Sequence, residues 1–252
     1  MRAGHPRKVG ILGGMGPAAG ADFLQLFVSA CEVHMRREGL RVHDQAFPEH
    51  WLVQIPAPDR TEALLGGGAS PLPAMADALG GMARQGVACV AIACNTAHAW
   101  HAELRQNAPQ IELLHIVQET ADELTRQGYR SVGLLATLGT YRLGLYTSAL
   151  EAAGIECHLP DPGEQVVVMR GIQEGVKAGK IPLARDCFGT VGEQMVQRHA
   201  CEALVLACTE IPLALTSLPG YPDVNLVNPT AILSAALARR AYAGGGWSMS
   251  GG

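Results

Sequence analysis

Two cysteines sit in matched settings. Cys94-Asn95-Thr96 follows the apolar run Val90-Ala91-Ile92-Ala93, and Cys208-Thr209-Glu210 follows Leu204-Val205-Leu206-Ala207. An apolar run closed by a polar break reads as a buried strand ending at a turn. Each sulfur is therefore expected at the carboxyl end of a strand, where open α/β sheets bind ligands. A helix start just beyond would offer free backbone N–H groups that favour an anion and lower a thiol's pKa from about 8.5 toward neutrality. One such cysteine is most often a small core hydrophobe. Two at equivalent places point to chemistry. A thiolate on one side of a carbon and a thiol on the other can take a proton from one face and return one to the opposite face. Racemisation of an amino acid asks for such a pair, and needs no covalent intermediate. Cys31, Cys89, Cys157, Cys187 and Cys201 lack the polar followers and read as structural.

Glycine-bounded apolar runs alternate with helix-like stretches along the chain, the pattern of open parallel sheets with helices on both faces. Strands are expected at 8–12, within 42–55, and at 87–93, 111–116, 130–135 and 203–207. Helices are expected at 18–30, 71–85, 100–106, 119–127, 141–153 and 184–199, with a strand-to-helix close over 226–243. The two halves match each other: Val9-Gly10-Ile11-Leu12-Gly13-Gly14-Met15-Gly16 aligns with Val132-Gly133-Leu134-Leu135-Ala136-Thr137-Leu138-Gly139, as the two cysteine segments align. A duplicated Rossmann-like half follows, with two equivalent strand ends facing one cleft. The expected fold class is α/β, with two pseudo-symmetric Rossmann-like domains, each a mostly parallel sheet flanked by helices, and the active site between them. Residues 1–116 plus 225–243 form the first domain and 117–224 the second. Residues 244–252, rich in Gly and Ser, read as a disordered tail.

Composition narrows the partners. The chain has 252 residues, 48% hydrophobic and 17% charged, with a net charge of −4, so it can bury a large core and carries no basic footprint for nucleic acid. Aromatic residues, at 5%, are too few for a base-stacking surface. No apolar run approaches the roughly 18–20 residues that span a bilayer, and no signal peptide is visible. Seven cysteines without a C-x-x-C pair suggest reduced thiols in the cytoplasm. Cys and His do not cluster at zinc-finger spacing.

Six segments in order carry a family resemblance. They are Ile11-Leu12-Gly13-Gly14-Met15-Gly16-Pro17, Pro58-Asp59-Arg60-Thr61, Ala93-Cys94-Asn95-Thr96-Ala97-His98, Gly133-Leu134-Leu135-Ala136-Thr137, the Met169-Arg170-Gly171-Ile172-Gln173-Glu174-Gly175-Val176-Lys177 stretch running on to Gly179, and Ala207-Cys208-Thr209-Glu210-Ile211. Together, from about residue 8 to 240, the chain resembles the cofactor-independent aspartate/glutamate racemases, and most the aspartate racemase branch. The resemblance implies Cys94 and Cys208 as the base/acid pair, with no pyridoxal phosphate and no metal, and commonly a homodimer. It implies that Asn95, Thr96 and Thr209 hold the α-carboxylate, that Arg60 and Lys177 bind the side-chain carboxylate, and that Met15 and the glycine turn line the pocket floor. Thr137 belongs to the substrate-binding set, and His98 and Glu210 are candidates for tuning the thiols. Ala19-Gly20 departs from the Ala-Thr or Ser-Thr of many relatives.

Plainer readings stand beside these. Arg60 is equally a solvated loop residue. Lys177, one of three lysines, lies in a glycine-rich stretch (Gly171, Gly175, Gly179) that would let a loop approach a ligand. His98 is more often a cap or core histidine, and Glu210 serves as a first-turn carboxylate. Other functions compete: a broad-specificity or glutamate racemase, a hydantoin racemase, a maleate isomerase with one cysteine as nucleophile, or a ligand-binding Rossmann-like module. For the last, Gly14-Met15-Gly16-Pro17-Ala18-Ala19 fits a loose G-x-G-x-x-A fingerprint. It lacks the acidic residue about 20 positions on.

Overall fold

The computed structural model describes residues 6–243; the expected tail at 244–252 lies outside them. Strand β1 (Val9–Gly13) runs into helix α1 (Pro17–Arg37), then β2 (His50–Gln54), short helix α2 (Arg60–Leu64), α3 (Leu72–Arg84) and β3 (Cys89–Ile92). A 3-10 turn over Thr96–Trp100 leads into α4 (His101–Asn107) and β4 (Glu112–Leu113). Helix α5 (Ile116–Gln127) crosses to the second cycle: β5 (Ser131–Ala136), α6 (Leu138–Arg142), α7 (Leu145–Ala152), β6 (Glu156–His158), α8 (Pro162–Arg170), α9 (Ile181–His199), β7 (Ala203–Ala207), β8 (Asn225–Val227) and α10 (Pro229–Tyr242).

The duplication is visible in the topology. One sheet has the order β2-β1-β3-β4 and the other β6-β5-β7-β8, four strands each. Every pairing is parallel, from Val9↔Cys89 in the first sheet to Ala136↔Ala207 in the second. Parallel strands need both faces covered, and the side chains divide accordingly. Val9, Ile11, Cys89 and Ala91 join Val132, Leu134, Ala203 and Val205 in one core that runs between the two sheets, filled by α1, α5, α7 and α10. Leu12, Val90 and Ile92 face α3 on the outer side of the first sheet, and Leu135, Leu204 and Leu206 face α8 and α9 outside the second.

Local signals set the helix starts. Asn228 Oδ1 accepts from the backbone N–H of Thr230 (2.9 Å) and Ala231 (3.3 Å) before α10, with Pro229 at the first helical position. Asp161 and Glu164 form a capping box for α8. Gly14 makes the turn after β1 at φ +91°, and a Cβ there would lie 2.4 Å from the backbone of Ile55, so the turn admits no side chain.

Several expectations are corrected. Strand β8 pairs with β7, so residues 225–227 belong to the second sheet and the chain returns to the first domain only with α10. The strand within 42–55 is confined to His50–Gln54, after a 3-10 turn at Asp44–Ala46. The helix expected over 141–153 is two, broken at Leu143-Gly144. The glycine-rich stretch is not a loop: Gly171–Val176 continues α8 as one π-helical turn, pressed on α9. A Cβ on Gly175 would lie 2.7–3.0 Å from the Cβ, Cα and N of Ala184. Gly175→Ala is therefore expected to lower stability by about 1–3 kcal/mol, read as a reduced urea midpoint. Gly189 lies within α9 with nothing near its missing Cβ, and Gly189→Ala is expected to raise stability by roughly 0.5–1 kcal/mol. Equal effects would mean the close packing carries no weight. Among the described residues, no helix is long and apolar enough to cross a membrane.

Candidate active site

Cys94 lies two residues beyond β3, and Cys208 directly follows β7. These are the equivalent central strands of the two sheets, and both thiols open onto one cavity at the domain junction. Its wall also includes Met15, Arg60, Asn95, Thr96, Thr137, Lys177, Thr209 and Glu210, so every expected site residue except His98 converges there. Asp59, Thr61, Met169, Ile172 and Gln173 complete the lining. These five were not singled out from the sequence, although all fall inside the motif segments around Arg60 and Lys177. The cavity volume is about 20 Å³, room for about one water. Met15, Arg60, Lys177 and Glu210 also line an outer hollow of about 310 Å³, so they stand between it and the thiols.

Arg60 is 8% exposed and anchored. Its Nη1 donates to the carbonyls of Pro58 (3.0 Å) and Ala57 (3.4 Å), and its Nη2 donates to the Met15 carbonyl (2.7 Å). The guanidinium has five N–H groups, and Nε, although buried, has no partner. The Asn95 amide is similar: its Oδ1 accepts from the Tyr146 hydroxyl, while Nδ2 is buried and unpartnered. Thr96 Oγ1 lies 2.9 Å from Thr137 Oγ1 and 3.2 Å from Thr140 Oγ1, joining the domains through a hydroxyl cluster. On the opposite side of the pseudo-twofold, Glu210 Oε1 accepts from the backbone N–H of Gly16 (3.2 Å). Its Oε2 accepts from the Cys208 thiol (3.0 Å) and the Thr209 hydroxyl (3.2 Å).

The expected lowering of the thiols by backbone N–H groups just beyond them is present but outweighed by burial. Cys94 precedes a 3-10 turn, with α4 starting only at His101, and Cys208 precedes a single 3-10 turn at Ile211–Leu213. The backbone N–H of Ala97 meets Cys94 and that of Glu210 meets Cys208, and each favours the thiolate. Burial pushes the Cys94 thiol up, with Arg60 beside it opposing the rise and the Glu210 charge adding to it. Burial pushes Cys208 well above the usual thiol range, and Glu210 adds to the rise.

His98 stands behind the site rather than in it. Its Nδ1–H donates to the Cys94 carbonyl (2.9 Å), and its ring packs with His101 and His115, at centroid distances of 5.9 and 5.1 Å. Burial and the neighbouring imidazoles depress His98 to about 3 and His115 to about 4. A histidine whose folded pKa lies below its unfolded value of about 6.5 binds fewer protons folded than unfolded between those values, so stability falls as pH drops through that window. For His98 the loss is expected to reach roughly 2 kcal/mol between about pH 6.5 and 5. Urea midpoints should show a smaller loss in His98→Asn, which retains an amide donor for the Cys94 carbonyl. An unchanged pH dependence would show that the cluster is not the proton uptake site. Among the described residues, no set of three His, Cys, Asp or Glu side chains converges to hold a metal.

Comparison with known proteins places this geometry. A family model described as Asp/Glu/Hydantoin racemase matches residues 12–237. The chain is 25% identical to the broad specificity amino-acid racemase RacX of Bacillus subtilis over 228 residues, 90% of this chain and 94% of that one. Its structure resembles Picrophilus torridus aspartate racemase with a TM-score of 0.78 at 29% identity, covering 96% of both chains. A glutamate racemase from Francisella tularensis in complex with D-glutamate shares the fold, with a TM-score of 0.65 at 19% identity over 95% of this chain and 82% of that one.

Proposed function

The chain belongs to the Asp/Glu/hydantoin racemase family, and from that premise we propose that it interconverts L- and D-aspartate by proton transfer at Cα between Cys94 and Cys208. The observation that carries this reading is a pair of buried donors with no acceptor, Arg60 Nε and Asn95 Nδ2, on two side chains that line the cavity holding both thiols. An unpartnered buried donor costs about 1–3 kcal/mol. Two of them beside a cationic side chain fit the carboxylates of a small dicarboxylic ligand. Asn95 Nδ2, with the hydroxyls of Thr96 and Thr209, would hold the α-carboxylate, and the free edge of Arg60 with Lys177 the side-chain carboxylate.

In the forward direction one thiolate takes the α-proton, and the electron pair left at Cα delocalises into the α-carboxylate, where the hydrogen-bond donors stabilise it. The opposite thiol then delivers its proton to the other face, becoming the thiolate that serves the reverse reaction. No bond to sulfur other than S–H forms or breaks. The tight cavity would keep solvent from reprotonating the carbanion on the face it left. The likeness to an aspartate racemase at 29% identity supports aspartate before glutamate.

Incubating the protein with L-aspartate, L-glutamate or L-alanine in D₂O, with no cofactor added, tests the reading. Proton NMR follows the α-proton and chiral chromatography the D-isomer. Aspartate is expected to exchange and invert fastest. Alanine reacting equally well would give a broad-specificity racemase, and no exchange with any of them would overturn the reading.

A further inference from the structure

The residues two positions after each cysteine, Thr96 and Glu210, do the same mechanical job in opposite directions. Thr96 reaches the first turn of the second domain at Thr137, and Glu210 reaches the first turn of the first domain at Gly16. At the Cys94 side a neutral hydroxyl suffices for that bridge. At the Cys208 side the bridge is a carboxylate, and its second oxygen lies 3.0 Å from the Cys208 sulfur. The carboxylate is thus more than a clamp. A thiolate at Cys208 would have no proton to donate to Glu210 and would face its negative charge at hydrogen-bond distance. The charged groups on the cavity wall are Asp59, Arg60, Lys177 and Glu210; of these Arg60 and Glu210 act on Cys94, in opposite directions and with Arg60 the larger.

We propose that Glu210 is a positioning residue that keeps the proton on Cys208, so that the resting protein carries Cys94 as the base and Cys208 as the acid. This rests on the two-thiol reading above and deepens it by giving the pair a direction. The ligand-free molecule accepts first the enantiomer whose α-proton faces Cys94. After one inversion the proton has moved from Cys208 to the product and another from substrate to Cys94. The resting state returns when Cys94 gives its proton to solvent and Cys208 takes one from it. Electrostatics support the assignment: Glu210 raises both thiols, but it is in direct hydrogen-bond contact only with Cys208, whereas at Cys94 the Arg60 charge opposes it.

The test needs no substrate, so its failure is separable from failure of the racemase assay. Thiolate absorbance near 240 nm is titrated against pH in the wild type, Cys94→Ser, Cys208→Ser and the double variant Cys94→Ser/Glu210→Gln. The thiolate step at lowest pH is expected to vanish in Cys94→Ser and to persist in Cys208→Ser. In the double variant the Cys208 step is expected at a pH lower by about one unit or more than in Cys94→Ser, a tenfold rise in its acid dissociation constant. The proposal is overturned if the lowest step vanishes in Cys208→Ser instead, or if removing the Glu210 charge leaves Cys208 unmoved. Should the double variant not fold, the comparison of the two single cysteine variants still decides which thiol ionises first.

Discussion

Cys94→Ala and Cys208→Ala are each expected to lose racemisation by at least the 10²–10⁴-fold typical of a general acid or base, while keeping a folded protein. Each sulfur closes the end of a central strand with little room around it, and alanine fits the same backbone there. The informative readout is not the loss but what survives. With one thiol gone, the other can still remove a proton from the enantiomer that faces it and return a deuteron to the same face. Each variant should therefore wash the α-proton of one enantiomer into D₂O without inversion, and the two variants should act on opposite enantiomers. Full racemisation by either would eliminate the two-base scheme. Exchange of both enantiomers by one variant would mean that a group other than the cysteines reaches Cα.

Arg60→Ala carries the second large effect. Removing a buried, hydrogen-bonded charge that meets a carboxylate costs about 2–5 kcal/mol, roughly one and a half to three and a half orders of magnitude in kcat/KM for aspartate. Three backbone carbonyls, at Met15, Ala57 and Pro58, would also lose their donor. Some loss of stability is expected as well, because that anchoring joins the β1 turn to the start of α2. Arg60→Lys should rescue little, since one ammonium cannot serve three carbonyls and offer a planar edge to a carboxylate. The selectivity decides the role: residual exchange of alanine should fall far less than that of aspartate. An equal fall for both would reduce Arg60 to a scaffold for the loop.

Much of this arrangement is legible in the residues. Strands β3 and β7 announce themselves as continuous apolar runs because both faces of each are buried, and the polar residue types that follow are the ones the cavity gathers. Strand β6 and helix α8 escape such reading. The first is a three-residue edge strand with one exposed and two half-buried residues, and the second opens on Pro162-Gly163. The environment of the thiols is hidden for a different reason. Glu210 meets Gly16 across 194 residues of chain and Arg60 meets Met15 across 45, and no local pattern encodes contacts of that range. The glycine spacing of 171, 175 and 179 reads as a loop free to approach a ligand, whereas close packing of Gly171 and Gly175 on Phe188 and Ala184 is what requires the absent side chains.

The last helix has a consequence for how the molecule is made. Helix α10 packs on α1 and behind β3, ties Tyr242 to the Ala46 carbonyl (3.0 Å), and receives the Arg7 backbone N–H at Ala241 (2.7 Å). The first sheet is thus covered on its inner face by a segment that follows the whole second sheet in the chain. While the ribosome is still elongating, Phe23, Phe27 and Ala91 have no α10 to bury them, and the nascent first half waits, half clothed, for residues 229–242. The two halves repeat each other in form, yet the core of the first is completed only from beyond the second, as a ring is closed.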